Sequence, residues 1–359
     1  MNSAAPSSVS SIAETPFGEA DGQEVKVYTL TNTAGVTVGV MNHGAALTSL
    51  RVPDRRGEPA DIVLGFDALS GYQLPRNPFF GATVGRVANR IRDGRFTLDG
   101  RSHVVATNDD PHHLHGGVKG WDKVVWQAEV LVVPEGPAVR FHRRSPDGEE
   151  GYPGAVEAEV IYALAGARNQ LRITMRARPD RTTLVNMAHH GYFNLAGEGS
   201  GSILDHELLL HAGAYTPGDP VVPTGEVVPV KGTPFDFTVG KAVGRDLKTA
   251  GGAPVGFDHN FVVDGPPEAL RPVARLKDPG SGRVMTVASD QPGVQFYSGN
   301  FLDGTLIGKS GRAYQQYAGL CLETQRFPNA INVPAWRDQV ILGADHLYAH
   351  HMILEFTTE

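Results

Sequence analysis

Arg95-Phe96-Thr97-Leu98-Asp99-Gly100-Arg101-Ser102-His103-Val104-Val105-Ala106 is the stretch that decides the fold class. Two alternating runs meet at Asp99-Gly100. Both central positions of a two-residue hairpin turn want φ > 0, which Asp tolerates and Gly adopts freely, so this stretch predicts a β-hairpin. The same period of two extends outward in both directions. Upstream it covers residues 25–30 and 36–40, then 47–52, which run into the turn Pro53-Asp54-Arg55-Arg56-Gly57. Downstream it recurs at 124–133, 139–142, 155–164, 171–178 and 207–211, and again at 261–264, 284–288, 294–298, 319–324 and 351–356. No amphipathic helix longer than about three turns stands out at 3.6-residue spacing. There is no repeat of fixed period, and no linker divides the chain. The expected fold is mainly β: one large antiparallel β-sandwich over residues 16–359 with long loops. Residues 1–15 are small and polar, hold no Lys or Arg, and lack the parts of a secretory signal; they are expected to be a disordered tail.

Composition narrows the function. Gly at 43 and Pro at 25 of 359 residues fit a turn-rich β fold. A net charge of -7 and a pI of about 6.1 argue against a nucleic-acid partner, which needs a basic face to meet phosphates. No run of 18 apolar residues exists, so no membrane helix is expected. The one cysteine, Cys321, cannot form an intrachain disulfide, which points to a reducing, cytoplasmic setting.

Several motifs fail their tests. Gly308-Lys309-Ser310 resembles the end of a phosphate loop, but Asp303 stands where the required Gly belongs. No G-x-S-x-G elbow occurs, so the usual hydrolase nucleophile is missing. His112, His113 and His115 invite a metal reading, with His113 and His115 sharing a strand face. A metal needs converging third and fourth ligands, and only Asp122 follows nearby, so no metal is expected.

Four segments carry more polar groups than packing needs: residues 85–91, 112–117, 186–195 and 319–325. Read as a strand, the third puts His190, Tyr192 and Asn194 on one face and His189, Gly191, Phe193 and Leu195 on the other. His190 then belongs to a polar row, and His189 is expected to pack or cap. In the fourth, Leu320 and Leu322 oppose Cys321, Glu323 and Gln325. Glu is a poor strand former, and here it follows an apolar run. Forced toward a buried face, its carboxyl would have a raised pKa, which suits a general base. Arg86, Asn89 and Arg90 offer fork-shaped and amide donors that suit vicinal hydroxyls. Asp258 and Gln295 each sit amid aromatics, a mixture common in sugar sites.

These segments resemble the aldose 1-epimerase, or galactose mutarotase, family from about residue 35 to the C-terminus. The resemblance rests on Gly85-Arg86-Val87-Ala88-Asn89-Arg90-Ile91, Leu114-His115-Gly116-Gly117, His190-Gly191-Tyr192-Phe193-Asn194-Leu195, Phe257-Asp258-His259, Gln295-Phe296-Tyr297 and Cys321-Leu322-Glu323-Thr324-Gln325, in that order. It implies a supersandwich with an open cleft on a concave sheet. It implies His190 as general acid and Glu323 as general base, with His115 close to the ring oxygen. It further implies that Asn89, Arg90, Asp258, Gln295 and the stretch His190-Gly191-Tyr192 contact the sugar. One departure stands out: many relatives carry a hydroxyl residue and an amide before the catalytic histidine, where this chain has Ala188 and His189.

The implied reaction is ring opening and reclosure of a small-molecule aldose, starting from an ionised Glu323 and a protonated His190. Neither a redox step nor phosphoryl transfer occurs in it, so no cofactor is expected, and the protein is expected to be a monomer or weak homodimer. Two alternatives stand beside it, a close enzymatic relative and a protein of another class. A hexose-6-phosphate 1-epimerase would need a cationic pocket, with Arg86, Arg143, Arg144 and Lys309 as candidates. A non-catalytic sugar-binding β-sandwich would bind without accelerating anything.

Overall fold

A computed structural model describes residues 10–219 and 221–359. Among them, three larger sheets are built from antiparallel pairs, the first wholly from sequence neighbours and the other two with crossovers between distant strands. The first runs in chain order through Ser11–Ala20, Gln23–Thr31, Thr37–Met41, Ala46–Pro53 and Pro59–Asp61. The second, of nine strands, has Gln170–Pro179 and Arg283–Ser289 on either side of the long C-terminal strand Tyr348–Thr358. The third has the order Tyr192–Phe193, Leu320–Gln325, Gly293–Tyr297, Asp258–Val262, Ala214–Thr216, Val228–Pro229.

The sandwich follows from alternation. Val139 and Phe141 of the nine-stranded sheet, Phe261, Phe296, Leu320 and Leu322 of the six-stranded sheet, and Leu30, Val38 and Leu47 of the five-stranded sheet share one buried core. One face of each sheet is therefore committed to packing, and the opposite face of the six-stranded sheet is left for other work. The predicted hairpin is present: Arg95–Leu98 pairs with Arg101–Val104 around Asp99 (φ 48°) and Gly100 (φ 73°), both in the left-handed region that such a turn demands. The longest α-helix among the described residues has four residues, Leu69–Tyr72.

Two expectations need correction. Residues 11–15 are not a tail: they open the first strand, and Ser11 through Thr15 pair with Thr31 through Val27. Their small polar side chains hid a strand whose stability comes from its ladder with Gln23–Thr31 rather than from apolar alternation. Residues 1–9 of the expected tail lie outside the described residues. Nor is 186–195 one strand. Ala188–His189 pairs with Thr83–Val84, Tyr192–Phe193 pairs with Leu320–Cys321, and His190-Gly191 is the joint between two different sheets.

Candidate active site

Alternation in the six-stranded sheet sets polar side chains in two rows on the face away from the shared core. Asn260, Gln295 and Glu323 are register partners on neighbouring strands; so are Asp258, Tyr297, Cys321 and Tyr192. The rows are knitted together: Gln295 Nε2 donates to Asp258 Oδ1 at 2.7 Å, and Gln325 Nε2 donates to Asn260 Oδ1 at 3.2 Å. The predicted division of residues 320–325 holds, with Leu320 and Leu322 in the shared core and Cys321 and Glu323 on the opposite face.

His190 reaches this face because its backbone is clamped from the side. Its N–H donates to Ala82 O (2.8 Å) and its carbonyl accepts from Gly81 N (2.9 Å). Gly81 has φ +66°, and a Cβ there would sit 1.9 Å from Leu47 O, so the close approach requires glycine. The result is a buried pair: His190 Nε2 lies 3.6 Å from Glu323 Oε1, with the residues 5 % and 2 % exposed. On the other side of the ring, His190 Nδ1 is 3.6 Å from Cys321 Sγ.

His115 completes the group. It leaves the short Arg90–Ile91/His113–Leu114 ladder with φ 50°, and the Asn89 N–H donates to its Nδ1 at 3.1 Å. A neutral His115 so engaged carries its proton on Nε2. Its ring centroid is 5.1 Å from that of His190. Gly116 (φ +90°) allows the turn, since a Cβ would strike Gly85 O. Arg90 donates through Nε to Asp109 Oδ2 at 2.7 Å.

Electrostatics favour neutrality. Burial, followed by the charge of Asp258, holds the Glu323 carboxyl well above the usual range, against the pull of Arg90. Burial lowers His190 to about 4, and burial followed by His190 and Arg90 holds His115 well below the ordinary imidazole value. This corrects the expected resting state of ionised Glu323 and protonated His190: in a site this dry, each charge loses its hydration. The two descriptions hold the same number of protons and differ only in where one of them sits.

All nine expected site residues therefore concern one region. His190, Glu323 and His115 are mutually adjacent, Asp258 and Gln295 are hydrogen-bonded to each other on the same sheet face, and Tyr192 stacks on His190. Asn89 carries His115, Gly191 follows His190, and Arg90 acts on Glu323 electrostatically. A narrow cavity lined by Asn89, Thr216, Pro223, Asp258, Asn260 and Gln295 opens beside them.

Other candidates are tied up elsewhere. Arg86 is 2 % exposed and donates to Pro153 O, Gly154 O, Pro146 O and Ser145 Oγ, so it braces loops rather than a ligand. Arg143 pairs with Glu149 over Trp121 and Trp126, exposed Arg144 pairs with Glu157, and Lys309 is held by Asp61 and Thr48 O. These attachments leave the four cations without a common phosphate pocket. His113 does not share a face with His115: its nitrogens are engaged by Ala106 O (2.7 Å) and the Tyr152 hydroxyl (2.6 Å). Among the described residues, the group that brings three ligand atoms within 4.8 Å is His115, His190 and Glu323, the acid–base candidates themselves.

Sequence reasoning missed Phe79, whose ring centroid lies 4.7 Å from that of His115 and 5.6 Å from that of His190. The doublet Phe79-Phe80 was the available signal, since only Phe80 enters the core. Ala188 packs with Val84 and Ala88, and His189 meets the Tyr162 hydroxyl at 3.3 Å.

Known proteins are similar to this chain over most of its length. The family model described as aldose 1-epimerase matches residues 26–355. Galactose mutarotase of Bos taurus is 49 % identical over 321 residues, covering 89 % of this chain and 91 % of that protein. Aldose 1-epimerase of Escherichia coli K12 is 36 % identical over 326 residues, covering 90 % and 92 %. The crystal structure of galactose 1-epimerase from Lactobacillus acidophilus superposes with a TM-score of 0.85 at 28 % identity, covering 97 % of this chain and 99 % of that one. Sequence and fold agree over nearly the full length, and this chain belongs to the aldose 1-epimerase family.

Proposed function

We propose that this protein is an aldose 1-epimerase, an isomerase that interconverts the α and β anomers of hexoses such as glucose and galactose, with Glu323 as base and His190 as acid. The observation that carries the assignment of roles is the buried 3.6 Å approach of His190 Nε2 to Glu323 Oε1 on the polar sheet face. The anomeric carbon bears two oxygens, the ring oxygen and the C1 hydroxyl. Two groups this close can serve that geminal pair from one side; they do not flank a pyranose.

Glu323 takes the proton of the C1 hydroxyl while His190 protonates the ring oxygen. The C1–O5 bond breaks and C1 becomes an aldehyde carbonyl. Rotation about C1–C2 presents its other face, the C5 hydroxyl adds back, and each group recovers its original proton state. The Nε2–H of a neutral His115 is suited to donate to the same ring oxygen. Asn89, Arg90, Gly191, Tyr192, Asp258 and Gln295 hold the remainder of the sugar, so that the open form stays bound while C1 turns.

The active form is the charge-separated version of a pair holding one proton in total. A second proton removes the base; loss of the only proton removes the acid. Activity therefore follows a bell, and its limbs belong to the pair rather than to either residue. The low-pH limb lies below the ordinary imidazole value, toward the value of about 4 for His190. The high-pH limb lies above the carboxylate range, because Glu323 is raised.

The core shared by the three sheets supports a single domain that begins with the first strand at Ser11, ahead of the expected boundary at residue 16. The one buried, free cysteine suits a reducing compartment, and we read the protein as a cytoplasmic monomer or weak homodimer. Two imidazoles and a carboxylate are donors that zinc also accepts. The mechanism requires no metal, so a chelator is expected to leave the rate unchanged.

Polarimetry on freshly dissolved α-glucose and α-galactose tests the assignment. Glu323→Gln and His190→Asn should each reduce the catalysed rate by about 10²–10⁴ while the fold persists. A near-normal rate in either variant refutes the pair.

A further inference from the structure

We propose that Phe79 is a positioning residue of this site: like Tyr192, it stacks near-parallel to the His190 imidazole and so holds the plane of that ring, keeping its nitrogens on their partners. The inference rests on the reading of His190 as the acid, and on geometry the catalytic pair does not use. The Phe79 and His190 centroids are 5.6 Å apart with an interplanar angle of 27°; for Tyr192 and His190 the values are 5.2 Å and 19°. The edge carries the two nitrogens. Nε2 meets Glu323 and Nδ1 meets Cys321, each at 3.6 Å. Rotation of the imidazole out of that plane would move both nitrogens off their partners and break the stacking with Phe79 and Tyr192.

Phe79 is held for this task more firmly than a loop residue needs to be. It has φ 65°, which a bulky residue rarely adopts. Its carbonyl accepts from Ala82 N (3.0 Å), and Ala82 O in turn accepts from His190 N, so ring and imidazole share one short run of backbone bonds. Phe80, next in the chain, is fully buried and packs edge-on against Tyr192. The Lys123 ammonium sits 5.0 Å from the centroid of the Phe79 ring and is itself fixed by the buried Asp122 at 2.7 Å. Phe79 also tilts against His115 at 4.7 Å. One half-buried side chain thus touches both imidazoles of the site.

The same contact works electrostatically. Aromatic faces exclude water, which keeps the imidazole from gaining a proton too easily, while their negative quadrupoles tolerate the imidazolium when it forms. The titratable and charged groups around His190 are Glu323 and Cys321 on one strand, His115 from its loop, and His189 and Tyr192 on its own segment. Arg90, Asp258 and Lys123 lie beyond them. A change at Phe79 leaves Glu323, Cys321, His189, Tyr192, Arg90 and Asp258 in place and removes only the ring's own contacts with His190, His115 and Lys123, so a shift in the pH profile reports on that ring.

The test compares Phe79→Leu with Phe79→Tyr in the full chain, reading kcat, KM and the pH profile of mutarotation. Leu keeps apolar bulk and loses the ring; Tyr keeps the ring. Phe79→Leu should lower kcat on the order of tenfold to a hundredfold, the scale expected for a misplaced catalytic group, with KM changing far less. Its low-pH limb should move up toward the ordinary imidazole value as water gains access. Phe79→Tyr should restore both. Wild-type kcat and an unmoved limb in Phe79→Leu overturn the proposal, as does a Phe79→Tyr protein as impaired as the Leu variant. Should Leu unfold the chain, Phe79→Met, unbranched and adaptable, carries the same comparison. His190→Asn separates the two levels: if it retains activity, the catalytic reading fails; if it is inactive while Phe79→Leu is normal, only this inference fails.

Discussion

Glu323 and Thr324 are adjacent on one strand and face opposite sides of the six-stranded sheet, and each meets a buried histidine. On the cleft side, Glu323 Oε1 stands 3.6 Å from His190 Nε2, and Glu323 Oε2 has no hydrogen-bond partner. On the core side, Thr324 Oγ1 lies 2.7 Å from His350 Nε2, and His350 Nδ1 lies 3.1 Å from Met187 O. Burial lowers both histidines to about 4. Depth and a perturbed imidazole are thus shared by a structural pair and a catalytic one. What separates them is satisfaction: His350 has a partner at each nitrogen, while the Glu323 carboxyl keeps an oxygen unclaimed and faces a second imidazole. A buried polar group left unpaired is costly.

Acid should act through the buried histidines of both faces, and this is the largest effect expected. On the cleft side it is offset by the raised Glu323 carboxyl, which is protonated in the folded chain before it is in the unfolded one. In the unfolded chain an imidazole takes up its proton near 6.5; in the folded chain His190 and His350 do so near 4, His206 near 4, and His189 near 3. Between those values the unfolded state binds more protons, so stability present above pH 6.5 is lost as pH falls toward 4. Each group contributes up to about 1.36 kcal/mol per pH unit. Thermal unfolding followed across that window should show a steep fall in Tm. His190→Asn and His350→Asn should each flatten it to a similar degree. A much larger share for either one would break the equivalence of the two histidines.

Thr324→Val sharpens the comparison from the core side. It leaves a His350 nitrogen without its hydroxyl partner and should cost about 1–3 kcal/mol in denaturant unfolding. The catalysed rate should stay near that of the wild type, since Thr324 points away from the cleft. Loss of activity in a folded Thr324→Val protein would mean that the two faces are coupled through the strand.

The smallest effect concerns Asp258. Its charge helps to raise Glu323, so Asp258→Asn should lower the Glu323 value and bring the high-pH limb of activity downward. A limb that does not move would leave burial as the dominant cause. A limb that moves upward would contradict the sign.

Much of this site is legible along the chain because a strand has a period of two. Once residues 320–325 read as a strand, Glu323 must oppose Leu320 and Leu322. The Asp99-Gly100 hairpin is equally local, since it needs only two residues able to take positive φ. Arg86 and Arg90, four residues apart, show where local reading stops. Both looked like sugar donors, yet Arg86 spends its guanidinium on the carbonyls of Pro146, Pro153 and Gly154, loops some sixty residues away in the chain. No pattern within residues 85–91 announces that. The strand at Ser11–Ala20 was hidden for a related reason: its mixed residues carry no regular alternation, and the partner strand supplies the ladder.

Residue types and their spacing by themselves determined a β-rich chain, an acidic surface, a polar row ending in Glu323, and a histidine beside Tyr192 and Asn194. These follow from turn stereochemistry and from the two-residue pleat, which act over a few residues at most. Only the tertiary structure decided that His190 sits at the joint between two sheets, that it approaches Glu323 to 3.6 Å from 133 positions away, and that Phe79 and Cys321 close around its ring. Those distances depend on how three sheets pack over one core. The same burial then settles the proton state, because a charge loses its water only when distant parts of the chain have come together around it.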